Sequence, residues 1–245
     1  MFRYHLVLEY NGSSYVGWQS QINGRSIQGQ LENAIFSLFR EKVSVFGAGR
    51  TDSGVHAYGQ SAHFDAKKNY SEDSIRDGLN FYLKLDSISI LEAFKVNKEF
   101  HARFSAIKRK YRYLIFNRRP PPTLFHGRVW HVPQVLNYQD MHESGQFLVG
   151  KHDFSTFRSI NCQAKSPIKT IEKLEVIKKD DNIIIDVEAP SFLHNQVRSI
   201  TGSLKLVGEG KWPKLKINQI LSECNRSSSG PVAPAHGLYL FSVTY

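Results

Sequence analysis

The chain has 245 residues, 41% hydrophobic and 22% charged, which is a composition able to bury a full core in one large domain or two smaller ones. Thirty-two Lys and Arg against 22 acidic residues leave a net charge of +10, a surplus that a polyanion binder uses and an enzyme of small neutral metabolites does not need. No apolar run is long enough to cross a bilayer, the start Met1 to His5 leads into a strand pattern with no signal peptide, and Cys162 and Cys224 make neither a disulfide framework nor a CxxC metal pair, so a cytoplasmic chain with reduced thiols is expected.

Tyr4 to Tyr10 alternates as a strand and runs into a turn at Asn11-Gly12. In the polar loop beyond it, Val16-Gly17-Trp18-Gln19 sets two apolar side chains around a flexible glycine. Ser26 is placed to open a helix whose buried face holds Ile27, Leu31, Ala34, Ile35, Leu38 and Phe39. Val43 to Phe46 reads as a strand, and so does the run that ends near Asp65. Asn69 to Asp73 starts a second helix with Ile75, Leu79 and Leu83 at helical spacing, and Ile88, Ile90 and Ala93 to Val96 continue as strand. This is an α+β rhythm close to ferredoxin-like.

A basic, aromatic junction from Phe100 to Tyr113 follows. Its second part reads as a strand, with Arg109, Tyr111, Tyr113 and Ile115 on one face and Lys108, Lys110, Arg112 and Leu114 on the other. Pro120-Pro121-Pro122 is the clearest breaker in the chain. Beyond it come a strand at Arg128 to Val132, a helix from Asn137, a loop from Lys151 to Pro167, and a hairpin joining Ile168–Ile177 to Ile183–Val187. A long helix capped by Ser191 reaches Val207, a short helix covers Ile217 to Leu221, and a final strand runs from Leu238 to Tyr245. The element order repeats, so two α+β halves are expected, residues 1–105 and 106–245.

Between the strands near Val43 and Phe64 lies Gly47-Ala48-Gly49-Arg50-Thr51-Asp52-Ser53-Gly54-Val55-His56-Ala57. Its glycines permit positive φ and close approach of another backbone, and functional loops on rigid scaffolds have this composition. Asp52 reads either as a turn cap neutralised by Arg50 or as a nucleophilic carboxylate. The loop lacks the Lys-Ser/Thr of a phosphate-binding Walker motif and a second carboxylate for a glycosidase pair. Arg198 lies beside the apolar stripe of its helix, with Gly202 one turn on permitting close approach; it reads as a surface salt bridge or as a cation holding a carboxylate in place. Tyr111 reads equally as core or as a stacking aromatic among cations, and Leu238 as core. His152-Asp153 is read as a capped loop in preference to an orienting pair, and the scattered histidines form no metal-ligand set.

The segment Gly49 to Ala57 resembles the signature loop of the tRNA pseudouridine synthase A family. Gly17-Trp18-Gln19, Lys110-Tyr111-Arg112-Tyr113, Ser191 to Arg198 and Ala233 to Leu240 resemble further family segments, in the same order and across nearly the whole chain. The resemblance implies an isomerase that turns uridine into pseudouridine at positions 38, 39 and 40 of the tRNA anticodon stem-loop, without metal or organic cofactor. It implies a homodimer whose subunit has two ferredoxin-like (RRM-like) halves fused about a continuous, mainly antiparallel sheet, with helices on one side and the active cleft between the halves. Carried over by position, Asp52 is the catalytic aspartate, Tyr111 the base-stacking tyrosine, Arg198 the partner of the aspartate, Arg50 the loop arginine that steers the flipped base, and Leu238 an apolar wall beside the uracil. Ser53 stands where the family commonly has alanine, and Asn195-Gln196 differs from some relatives. The competing expectations are a non-catalytic RNA-binding protein and a hydrolase of free nucleosides.

Overall fold

A computed structural model describes residues 1–22 and 24–245. In chain order the elements are β1 (Phe2–Tyr10), α1 (Ile27–Phe39), β2 (Phe46–Gly47), β3 (His56–Ala66), α2 (Glu72–Leu83), β4 (Ile88–Val96), β5 (Lys108–Phe116), β6 (Trp130–His131), α3 (Tyr138–Gln146), β7 (Gly150–Asp153), β8 (Ile168–Ile171), β9 (Lys173–Lys179), β10 (Asn182–Ala189), α4 (Gln196–Gly208), α5 (Lys216–Glu223) and β11 (Leu238–Thr244), with short 3-10 turns between some of them. The chain is thus a mixed α/β protein whose strands pair mostly antiparallel. It divides into two compact units, one of residues 1–107 with 239–245 and one of residues 108–238. Among the described residues no helix is long and apolar enough to cross a membrane.

In the first unit β1 is central, antiparallel to β3 on one side and to β4 on the other. The short β2 lies along the far edge of β3, pairing Phe46 with His63, so the strands run β4-β1-β3-β2, the ferredoxin-like order expected from the sequence. β11 joins that same edge of β3 in parallel, lower down, with Tyr239 opposite His56 and Leu240 opposite Ala57. Alternation puts Tyr4, Leu6 and Leu8 on one face of β1, fully buried with Leu31, Ile35 and Phe39 of α1. Both helices start on hydroxyl caps: Ser26 Oγ accepts the Gly29 N–H at 3.1 Å, and Ser71 Oγ that of Ser74 at 3.3 Å.

The opposite face of β1 and β3 carries a cluster that periodicity did not reveal. His5 Nε2 lies 2.7 Å from Ser61 Oγ, and its ring packs against Phe94, Phe100 and Tyr245. His63 Nδ1 accepts the Ala102 N–H at 3.1 Å, and the Tyr245 hydroxyl donates to Ala102 O at 2.8 Å. Burial pushes both imidazoles down to about 4, with His101 and Arg3 adding to the effect at His63.

In the second unit β10 lies between β5 and β9, antiparallel to both, and β6 pairs with β5 in parallel. The order strand, helix, strand, strand, helix (β5, α3, β9, β10, α4) repeats that of the first unit. Three sequence expectations need correction. The loop foreseen from Lys151 begins instead as β7, paired with β8 in its own two-stranded sheet. The single strand foreseen from Ile168 to Ile177 is split at Glu172 between that sheet and β9. Ser191 does not cap α4: residues 193–195 form a turn, the helix starts at Gln196, and Asn195 precedes it at φ 64°. Asp153 Oδ1 accepts the Ser155 N–H at 2.8 Å and His152 Nε2 contacts Val149 O at 3.0 Å, so that pair serves the loop backbone.

The buried histidines set a sign for the pH dependence. Their folded pKa values of about 4 lie below the ordinary value of 6.5, so below pH 6.5 the unfolded chain binds more protons than the folded one. The contribution of these two neutral imidazoles to stability is complete above about pH 6.5 and is lost as the pH falls towards 4. Urea unfolding at pH 7.5, 6 and 4.5 is expected to give steadily lower midpoints, with a shallower decline in His63→Asn; equal midpoints in the native chain would refute the assignment.

Candidate active site

The glycine-rich loop is held from four directions in the first unit. Gly17 and Asp52 form an isolated antiparallel bridge, and the Trp18 N–H donates to Thr51 O at 3.0 Å. The Thr51 hydroxyl lies 2.8 Å from that of the buried Tyr10, whose pKa burial pushes up to about 12. Gln60, with no exposed surface, donates from Nε2 to Gly49 O at 2.8 Å. Gly12 N–H donates to His56 Nδ1 at 3.0 Å, which fixes the far end of the loop and requires that nitrogen unprotonated. Within the loop the Val55 N–H closes a turn on Asp52 O at 3.1 Å, with Gly54 at φ 77°.

Three glycines are required by neighbours, among them Gly12, where a Cβ would fall 1.9 Å from Val55 O. Gly17 sits at φ 117°, and a Cβ there would meet Thr51 O at 2.7 Å. A Cβ on Gly47 would lie 2.6 Å from the Trp18 indole, which is buried across it. Gly12 and Gly17 thus admit the backbone of the loop, and Gly47 admits the Trp18 ring. Ser53 donates its hydroxyl to Tyr15 O at 3.1 Å and so adds a tie between loop and scaffold. Asp52 is left half-exposed at the loop's centre, beside an exposed Arg50 whose side chain makes no hydrogen bond or ion pair with the described residues.

In the second unit α4 and β5 grip the segment from Ala233 to Gly237. Arg198 Nε donates to Ala233 O at 2.7 Å while the Ala233 N–H donates back to Arg198 O at 3.1 Å. The Tyr113 hydroxyl donates to Pro234 O at 2.7 Å, and burial raises that phenol's pKa far above the ordinary value. Gly237 lets the backbone lie against the same ring, since a Cβ there would stand 2.6 Å from it. Gly202 does the same one turn beyond Arg198: an added Cβ would fall 1.7 Å from Pro231 O, so the close approach expected from sequence is real. Leu238 follows the gripped segment and is 7% exposed.

Asn195 is the site residue that sequence reasoning missed. It occupies the left-handed region, which asparagine tolerates better than most residues, and its Oδ1 caps no helical N–H. It accepts instead from Arg198 Nη1 at 2.9 Å. Together with Ala233 O it fixes the plane of the guanidinium, so the arginine is oriented before any substrate arrives.

The surroundings of Tyr111 differ from the sequence expectation. Its ring is half-buried with its neighbour Phe192 edge-on at 5.1 Å and 88°. The cations beside it are engaged within the protein. Arg112 makes a bidentate pair with Asp186, both bonds 2.8 Å; Lys110 reaches Asp186 at 3.0 Å; Lys108 reaches Glu172 at 3.1 Å and Glu188 at 3.3 Å. Burial raises the Asp186 carboxyl, but Arg112 and Lys110 outweigh it and hold the group below its usual range. Arg109 donates to Pro190 O. The basic character of β5 is therefore largely neutralised by β10. Among the described residues no group of three or more His, Cys, Asp or Glu is arranged to hold a metal ion.

The bracing of the loop can be tested at Gly17, where a left-handed φ and a close backbone coincide. Gly17→Ala combines a strained φ with a clash on Thr51 O and is expected to destabilise the fold by about 2–3 kcal/mol. Gly210→Ala, at φ 72° with nothing within 4 Å of the added carbon, is the control, with a loss of about 1 kcal/mol. Equal unfolding midpoints for the two variants would remove the steric part of the argument.

Comparison with known proteins agrees with this arrangement. The family model described as "tRNA pseudouridine synthase" matches residues 6–105 and 146–245. Proteins named tRNA pseudouridine synthase A from Sinorhizobium fredii and Parvibaculum lavamentivorans are 52% and 50% identical to the chain, each aligned over all of both sequences. One from Rhizobium meliloti is 51% identical, again over both full lengths. The matched stretches contain the braced aspartate loop and the α4 arginine, and on this evidence the chain belongs to the tRNA pseudouridine synthase family, enzymes that isomerise uridine in tRNA.

Proposed function

We propose that this enzyme converts uridine to pseudouridine at positions 38, 39 and 40 of the tRNA anticodon stem-loop, with Asp52 as the catalytic group and the target nucleotide flipped out of the stem. The observation that carries the reading is the hold on Asp52. Main-chain bonds from Gly17-Trp18, the Tyr10–Thr51 contact and the Gln60 amide fix a half-exposed carboxylate on a loop whose backbone has little freedom. Pre-organisation of that kind lowers the cost of reaching a reactive geometry.

The reaction breaks the N-glycosidic bond, turns the uracil and joins C5 to C1′. Asp52, ionised, attacks the ribose or uracil C6, or removes a ribose proton to give a glycal; the three routes place the same demand on the residue. Arg198, fixed by Asn195 and Ala233, is assigned to orient the carboxylate and hold its charge. Tyr111 stacks on the ring and helps move the C5 proton in the last step. Arg50, without an internal partner among the described residues, steers the displaced base, and Leu238 supplies an apolar wall. The enzyme acts as a homodimer in the cytoplasm, and no group beyond these side chains is assigned to the chemistry.

Two variants test the assignment. Asp52→Asn is expected to bind tRNA with near-native affinity while pseudouridine formation falls by at least about 10³-fold, read by chemical mapping of the modified anticodon stem. Concurrent loss of binding and fold would make Asp52 structural, and retained turnover would remove it from the chemistry. Tyr111→Phe keeps the ring and is expected to bind normally while turnover drops about 100-fold or more, the usual range for a lost acid–base group. Turnover at the native rate would exclude the phenol from proton transfer.

A further inference from the structure

Beyond the loop, β3 and β11 build a column of aromatic rings. His56 stacks on Tyr239 with centroids 4.8 Å apart and an interplanar angle of 28°, and Tyr239 stacks on Tyr58 at 4.8 Å and 18°. Phe241 stands edge-on to Tyr58 at 5.7 Å and 65°. The two inner rings are buried, His56 1% and Tyr239 7% exposed, whereas Tyr58 is 44% exposed and its hydroxyl has no hydrogen-bond partner among the described residues. The column is anchored at its inner end, where His56 Nδ1 takes the Gly12 N–H. Its outer end is held by close strand contact, since a Cβ on Gly59 would meet Phe241 O at 2.7 Å.

A plain core tyrosine buries its ring and satisfies its hydroxyl; Tyr58 does neither. One edge and one face of the ring are fixed by Phe241 and Tyr239, so little side-chain freedom remains to be lost when something stacks on the outer side. The residue lies six positions after Asp52, at the start of the strand that leaves the loop. The ligand of this enzyme family is an RNA, whose unstacked bases offer a planar partner of the right size.

The geometry points to Tyr58 as a stacking platform for a nucleobase next to the target uridine, the outermost layer of the His56–Tyr239–Tyr58 column. The contact holds a strand whose own stacking is interrupted when its neighbour is flipped, and it is tolerant of base identity because every base presents a π-face. The inference rests on the proposed isomerisation within a stem-loop.

The test uses the full-length protein and an anticodon stem-loop RNA carrying 2-aminopurine at each nucleotide flanking the target in turn. Native protein, Tyr58→Phe and Tyr58→Trp are expected to bind alike and to quench the probe at one flanking position. Tyr58→Leu, which keeps an apolar contact with Tyr239, is expected to bind about tenfold more weakly, to lose the quenching, and to raise KM by the same factor with kcat within about twofold. An abasic nucleotide at the quenched position should bring native and Tyr58→Leu affinities together. Equal binding by native and Tyr58→Leu protein, a Trp variant as weak as the Leu variant, or a tenfold gap that persists on abasic RNA would each overturn the proposal. A changed oligomeric state in Tyr58→Leu with unchanged RNA affinity would assign the ring to contact with a second copy and also overturn it. If the native protein bound and quenched but formed no pseudouridine, the proposed reaction would fall while the platform stood.

Discussion

The main-chain contact at the centre of the loop is the bridge between Gly17-Trp18 and Thr51-Asp52. A loop rich in glycine has many conformations in isolation, and its entropy favours all of them over one. The bridge converts it into a short piece of two-stranded structure without a side chain being used. Because the contact is between backbones, it places the Asp52 Cα without using the carboxylate. Trp18 then seals the far side across Gly47, and the hydroxyls of Tyr10 and Thr51 satisfy each other in the interior. A buried hydroxyl pair costs little only when both members are present, so this contact also selects against alternative loop conformations.

The second unit solves a similar problem with a different device. Here the element to be fixed is a long, charged side chain, and rotamer entropy is the main obstacle. Two oxygens at right distances, one on Asn195 and one on the Ala233 backbone, remove most of that freedom from Arg198. The returned bond from Ala233 N–H to Arg198 O makes the grip mutual, so the segment leading to Leu238 and the helix carrying Arg198 are set by the same contacts.

Much of this was legible in the residues, and the parts that were not share a cause. Ser26 and Asn137 announced their helices because a cap acts within three residues of itself. The identity of the loop could be read from its own residues, but not that Gly17-Trp18 is the backbone it pairs with. The Tyr10–Thr51 and Gln60–Gly49 contacts could not, since they follow from the register Leu8 to Gln60 and Tyr10 to Ala57 and from the irregularity between those pairs. β7 was missed because four residues give no period and its partner β8 begins fifteen residues later in the chain, at Ile168. The late start of α4 turned on Asn195 adopting a left-handed conformation, which no local pattern signals at a residue other than glycine. The ion pairs of β5 were hidden for the same reason as the register contacts: its carboxylate partners are more than sixty residues away.

Those partners change what the net charge means. Arg112 opposite Asp186 and Lys110 opposite Glu188 are registered neighbours on adjacent strands, so β5 carries its own counterions wherever it goes. Cations already neutralised displace few ions from a nucleic acid on contact, and it is the number displaced that governs how steeply affinity responds to salt. The chain's +10 therefore overstates the ionic footprint of this strand, whose Lys108, Lys110 and Arg112 are matched by Glu172, Asp186 and Glu188. A strand that carries its own counterions is suited to recognition by shape more than by long-range attraction.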